Sequence, residues 1–125
     1  MSVLIDTSVL IDVLRGDRAA GKVLVQARKA GPLYASEITR LEVAAGMRPA
    51  EQSATLALLS SVTWYPLDSR VAEVAGELGR QWLPGNRGID SADLAIAATA
   101  VILDVVLLTR NVKHFPMFDG LESPY

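Results

Sequence analysis

The sequence contains no cysteine. A disulfide framework, a thiolate metal site and a cysteine nucleophile are therefore excluded. No apolar run is long enough to cross a bilayer; the longest charge-free one, Leu94 to Leu103, is interrupted by Thr99. Nor does the N-terminus read as a basic, apolar and cleavage-site leader, because Asp6 breaks the only candidate. These absences point to a cytoplasmic protein. Internal repeats, low-complexity tracts and linkers are also lacking. Basic residues number 12 against 14 acidic ones, leaving a net charge of −2. Bulk electrostatics would not recruit nucleic acid, so such a partner requires basic side chains gathered on one face. Arg15, Arg18, Lys22, Arg28 and Lys29 are close enough in sequence to form that face, or an ordinary solvated helix surface.

What the chain does have is apolar bulk. Half of its 125 residues are hydrophobic, which argues against disorder and suits a single α/β domain over residues 1–125. Val3, Leu4 and Ile5 form a short apolar run of the buried-strand kind. The run stops at Asp6-Thr7-Ser8, and Val9, Leu10, Ile11, Val13 and Leu14 then recur at helical spacing. Asp6 thus lies between an inner strand and the following helix. There it either caps the helix or needs a partner, because an unpaired buried charge loses its hydration. In open α/β sheets the carboxyl ends of strands are also where ligands bind.

Further along, Arg15-Gly16-Asp17 reads as a helix stop, and a second helix runs from about Arg18 to Ala30 before Gly31-Pro32. Leu33-Tyr34-Ala35 is a second strand, with Ser36 as N-cap of a third helix that carries Ile38, Leu41, Ala44 and Ala45 on one face. Residues 50–60 predict a fourth helix and Val62 to Tyr65 a third strand. Asp68 opens a long helix with Val71, Val74, Ala75 and Leu78 at core spacing, and another starts near Ile89 or Asp90. Val105 to Leu108 is a wholly apolar fourth strand, as expected for one covered on both faces. Thr109 to Phe118 is irregular with room for one helical turn, and Leu121-Glu122 suggests a short fifth edge strand. Strands alternating with helices predict a parallel sheet covered on both sides by right-handed crossovers.

Three more acids can reach the carboxyl edge of such a sheet. Glu42 is flanked by Leu41, Val43, Ala44 and Ala45, and is either on the wet face of its helix or drawn to Asp6. Asp90 and Asp93 lie three apart and share a side of their helix. Capping and the helix dipole explain both in the first turn. The stretch behind Asp93, Leu94 to Ala100, is small and apolar all round, so that helix packs deep and draws Asp93 inward. If Asp6, Glu42 and Asp93 converge, repulsion governs the site. Two carboxylates about 4 Å apart repel by roughly 4 kcal/mol at an effective dielectric of about 20. Protonation or a divalent cation relieves this. Oxygen ligands, no cysteine and one histidine far along the chain favour Mg²⁺ or Mn²⁺ over zinc. Hydrolysis of a phosphodiester is chemistry such a pocket can perform.

The stretches Ile5-Asp6-Thr7-Ser8-Val9-Leu10-Ile11, Thr39-Arg40-Leu41-Glu42, Asp93 to Ala100, Leu108-Thr109-Arg110-Asn111 and His114-Phe115 together resemble the PIN-domain ribonucleases. Within these they resemble the VapC-type toxins of bacterial toxin–antitoxin pairs. The resemblance covers nearly the whole chain. It implies a PIN-like α/β/α sandwich with a central, mostly parallel sheet of four to five strands. It also implies an endoribonuclease whose acidic triad, Asp6, Glu42 and Asp93, binds Mg²⁺ or Mn²⁺. Metal-activated water would attack in line and leave a 5′-phosphate and a 3′-hydroxyl. Where the family often has a fourth acid, this chain has Asn111; Asp90 is the candidate to supply the missing carboxylate. Thr7 and Thr109 would support the acids or the phosphate, and Arg15 and Arg110 would contact RNA. His114 falls at a structural position of the family. The implied partners are an inhibitory antitoxin, which inserts a peptide into the acidic groove, and a second copy in a homodimer.

Two other readings compete. A receiver-like or other Mg²⁺-dependent phosphoryl-transfer domain needs an acid at the end of a later inner strand, where this chain has Ala35-Ser36 and Pro66. A dehalogenase-like phosphatase needs an aspartate two residues after Asp6, where Ser8 stands. The other reading is a PIN-like module that binds a partner or RNA without catalysis, consistent with Asn111 in place of an acid.

Overall fold

Short apolar runs alternating with helical periodicity build a four-stranded parallel sheet flanked by six helices, in a computed structural model that describes residues 1–125. Strand β1 (Val3–Ile5) leads into helix α1 (Thr7–Leu14), and α2 (Arg18–Ala30) follows. Next come β2 (Leu33–Ser36), α3 (Glu37–Ala45), a 3₁₀ turn at Pro49–Glu51, α4 (Gln52–Leu59) and β3 (Thr63–Tyr65). Helices α5 (Ser69–Trp82) and α6 (Ser91–Leu103) precede β4 (Val106–Leu108) and a second 3₁₀ turn, Val112–His114. The helix starts follow the predicted caps. Ser36 Oγ accepts from the Ile38 N–H at 3.2 Å, Asp68 from Val71 at 2.9 Å and Asp90 from Asp93 at 2.8 Å.

The strand order is β3-β2-β1-β4, so β1 is central, with Val3 opposite both Leu33 and Val106. Because every pairing is parallel, all strands end at one edge. Alternation along β1 divides the core. Val3 and Ile5 join Val9, Leu10, Leu24, Val43 and Leu59 on one side of the sheet. Leu4 joins Ile96, Ala97, Ala100, Leu107 and Phe115 on the other. Burial in α6 is continuous from Asp93 to Ala100, as its all-round apolar character predicts. Leu4 is fully buried, and replacing such a residue by alanine costs about 2–5 kcal/mol.

Three expectations need correction. Strand β4 is not covered on both faces: it is the edge of the sheet, and Val106 is 47% exposed. The fifth strand at Leu121-Glu122 does not form. Leu121 instead packs against the cluster around Leu4 and Phe115, and Pro124 has no N–H for a ladder. In α3, Leu41 is 61% exposed and Ala44 and Ala45 are exposed too, while Thr39 and Val43 are buried. Thr39, Glu42 and Val43 share a helix face, and that face turns toward α1, where Val43 packs with Val9 and Leu10 and Glu42 accepts from Thr7.

Candidate active site

Asp6 stands at the carboxyl end of the central strand and is 3% exposed. By position it is the N-cap of α1, yet its side chain makes no capping bond. Instead Asp6 Oδ2 accepts from Ser8 Oγ at 2.8 Å and from Thr109 Oγ1 at 2.7 Å. Thr109 is delivered by β4, which lies beside β1 and receives the Asp6 N–H on the Leu108 carbonyl at 2.9 Å. Both hydroxyls are themselves anchored. Thr109 Oγ1 accepts from the Asn111 N–H at 2.9 Å, and Ser8 Oγ accepts from the Arg110 N–H at 3.2 Å.

Glu42 is held by α1: the Thr7 hydroxyl donates to Glu42 Oε1 at 2.7 Å, with the buried Thr39 hydroxyl 3.0 Å from that of Thr7. Asp93 lies in the first turn of α6, in a reciprocal cap with Asp90. Asp90 Oδ1 accepts from the Asp93 N–H at 2.8 Å, and Asp93 Oδ2 accepts from the Asp90 N–H at 3.1 Å. His114 Nδ1 is 3.1 Å from that same Oδ2. Burial pushes the Asp93 carboxyl up to about 6; the Asp90 N–H and His114 oppose this, while the neighbouring Asp90 charge adds to it.

The remaining sequence candidates are less committed to the site. Asp90 is exposed and serves as the N-cap of α6. Asn111 is exposed as well. Arg110 donates to Asp12 Oδ2 at 2.7 Å, an oxygen that also accepts from Tyr125 OH at 2.6 Å, and its guanidinium lies 5.8 Å from the Tyr125 ring centre. Arg15 is ion-paired with Glu51. Sequence reasoning missed Ser8 and Asp12, and treated His114 as structural. Ser8 was visible in the Asp-Thr-Ser run. The approach of His114 to Asp93 depends on the turn after β4, which leaves no periodic signal.

The donor chemistry fits a hard divalent cation. None of Asp6, Glu42 and Asp93 is paired with lysine or arginine. Each bonds within the protein through one carboxylate oxygen only, and the other is not sealed away, since Thr55 Oγ1 is the sole buried side-chain polar atom without a partner. The spacing is open: in this arrangement no three of the acids and the histidine are close enough to share one ion.

Residues 3–119 match the PIN domain family. The chain belongs to that family. This PIN domain is 44% identical over 123 residues to Ribonuclease VapC19 of Mycobacterium tuberculosis, covering 98% of each chain. It is 42% identical to Ribonuclease VapC10 of the same organism, covering 98% of this chain and 92% of the relative. Among solved structures, a toxin–antitoxin complex from Klebsiella pneumoniae matches with a TM-score of 0.79 and 29% identity over 98% of each chain. VapBC-1 from nontypeable Haemophilus influenzae matches with a TM-score of 0.75 and 26% identity, covering 98% of this chain and 96% of that one. The α/β/α layering is therefore that of VapC-type PIN domains. None of its helices is long and apolar enough to cross a membrane.

Proposed function

We propose that this PIN domain is a metal-dependent endoribonuclease, the toxin of a toxin–antitoxin pair, acting in the cytoplasm as a single domain over residues 1–125. The observation that carries the proposal is Asp6: a buried carboxylate at the end of the central strand that declines to cap its helix and has no cationic partner. Relatives at 44% and 42% identity bear the name ribonuclease, and matching solved structures are toxin–antitoxin complexes.

In this reading Asp6, Glu42 and Asp93 hold Mg²⁺ or Mn²⁺, with Asp90 and Asn111 at the margin. A bound divalent cation supplies an acidified water and neutralises charge developing on the phosphoryl group. The protein's part is positional and electrostatic. Ser8 and Thr109 fix Asp6, and Thr7 fixes Glu42. Asp93 binds a cation only when ionised, so affinity falls as pH drops through about 6. Uncompensated, the acids repel RNA. Arg110 and Arg15 contact its phosphates after leaving Asp12 and Glu51, an easy exchange because exposed ion pairs contribute only about 0–1 kcal/mol. The cognate antitoxin inhibits by placing a peptide, with a basic side chain, over the acids, and the toxin works as a homodimer.

The test is incubation of antitoxin-free protein with structured and unstructured RNA in Mg²⁺, Mn²⁺ or EDTA. Cleavage with metal that leaves 5′-phosphates and stops in EDTA is expected. Cleavage that persists in EDTA, or in Asp6→Asn, sinks the mechanism. A non-catalytic partner-binding module is the second reading, favoured by Asn111 and the open spacing of the acids. Intact RNA under every condition, together with tight antitoxin binding, would select it.

A further inference from the structure

The segment after β4 touches two of the three acids at once. Thr109, fully buried, donates to Asp6 at 2.7 Å, and His114 meets Asp93 at 3.1 Å. Asp6 follows the end of β1 and Asp93 lies in the first turn of α6, so this one segment links the two elements. The segment is also tied down. The Asn111 N–H returns to Thr109 Oγ1 at 2.9 Å, the His114 N–H to the Asn111 carbonyl at 2.9 Å, and the Phe115 N–H to the Val112 carbonyl at 3.0 Å. Phe115, 1% exposed, locks the far end into the core beside Leu4, Ile96 and Leu107. His114 is therefore not a free surface imidazole, although its side chain is 39% exposed.

We infer that His114 is a positioning residue: through Nδ1–H it holds Asp93 by Oδ2, leaves Oδ1 for a ligand, and with Thr109 sets the separation of Asp93 from Asp6. A neutral imidazole suffices, because one ring nitrogen carries a proton in either tautomer. Outer-shell hydrogen bonds of this kind orient ligating carboxylates. The inference rests on the reading of the three acids as a metal site. His114 itself touches neither substrate nor ion.

The chain has a single histidine, so the imidazole nitrogen spectrum of the whole protein contains one pattern. At alkaline pH, where imidazoles are neutral, the wild type is expected to carry its proton on Nδ1; a proton on Nε2 overturns the inference. Mn²⁺ affinity gives the second readout. His114→Ala is expected to weaken it about tenfold, and His114→Asn, whose amide nitrogen sits near the place of Nδ1, is expected to restore most of it. Equal affinity in wild type and His114→Ala overturns the positioning role. If the alanine variant does not fold, the wild-type tautomer decides. A wild type with the Nδ1 proton that binds no Mn²⁺ removes the metal reading while leaving the His114–Asp93 bond in place.

Discussion

Asp6 and Asp93 are both buried acids at the carboxyl edge of one sheet, yet they are held by different means. Asp6 takes its hydrogen bonds from Ser8 on α1 and Thr109 after β4. Its position is a product of strand pairing, since Thr109 arrives only when β4 lies beside β1. Asp93 is fixed locally, by the reciprocal cap with Asp90, and its one distant partner is His114. Hydroxyl donors surround the first acid; a second carboxylate stands beside the other. Burial next to that neighbour puts the Asp93 carboxyl at about 6. One acid is set by the fold, and the other is poised by its surroundings.

The largest effects come from removing either acid. Asp6→Asn and Asp93→Asn should each reduce RNA cleavage by at least about a hundredfold, because even outer partners of a metal site are worth 10–100-fold. A variant of either residue that kept wild-type turnover would show that the two acids do not act together.

Thr109→Val comes next, and separates the two acids directly. It preserves shape at a fully buried position but takes a donor from Asp6. A lost hydrogen bond to a buried charged group costs about 1–3 kcal/mol, to be read as a lower urea midpoint with cleavage reduced in parallel. The same stability as the wild type would mean that water replaces the hydroxyl and that Asp6 is held less tightly than Asp93.

Asp93→Asn should have the opposite effect on stability. The folded carboxyl binds its proton more tightly than the unfolded one, so ionisation costs stability as pH rises from 3.8 through about 6. Without metal, Asp93→Asn should therefore be more stable than wild type above pH 6, by about 1–2 kcal/mol after allowance for solvent access. The gain should vanish below 3.8. Denaturant titrations at the two pH values check it, and equal midpoints at both would remove the contrast with Asp6.

The smallest effect concerns the rim. Asp12 is raised by partial burial, but the hydrogen bonds from Tyr125 and Arg110 outweigh this and hold its carboxyl below the usual range. Arg110 is exposed while Asp12 and Tyr125 are partly buried, so Tyr125→Phe, which removes one hydrogen bond, should lower stability by about 1 kcal/mol. Arg110→Ala should raise the KM for RNA more than it lowers kcat. A fall in kcat with unchanged KM would instead place Arg110 with the acids.

Much of this was legible in the sequence because it depends on local signals. The apolar run before Asp6 and the capping residues Ser36, Asp68 and Asp90 each specify structure within a few residues. The small apolar helix behind Asp93 is equally local. What was not legible depends on which elements become neighbours. The apolar content of β4 suggested an inner strand, but the sheet order leaves it at the edge. Leu41, Ala44 and Ala45 suggested the packed face of α3, but the face that turns inward carries Val43, packed in the core, and Glu42, bonded to Thr7. Asp6 had a capping explanation until Thr109, distant in sequence, proved to be its partner. The contact between His114 and Asp93 escaped for the same reason.

Mn²⁺ binding to the wild type, Asp6→Asn, Asp93→Asn and the double variant tests the central claim most directly. If acids from β1 and α6 share one ion, either single substitution abolishes that site and the double variant binds no worse than the singles. Undiminished Mn²⁺ affinity in either single variant would contradict it.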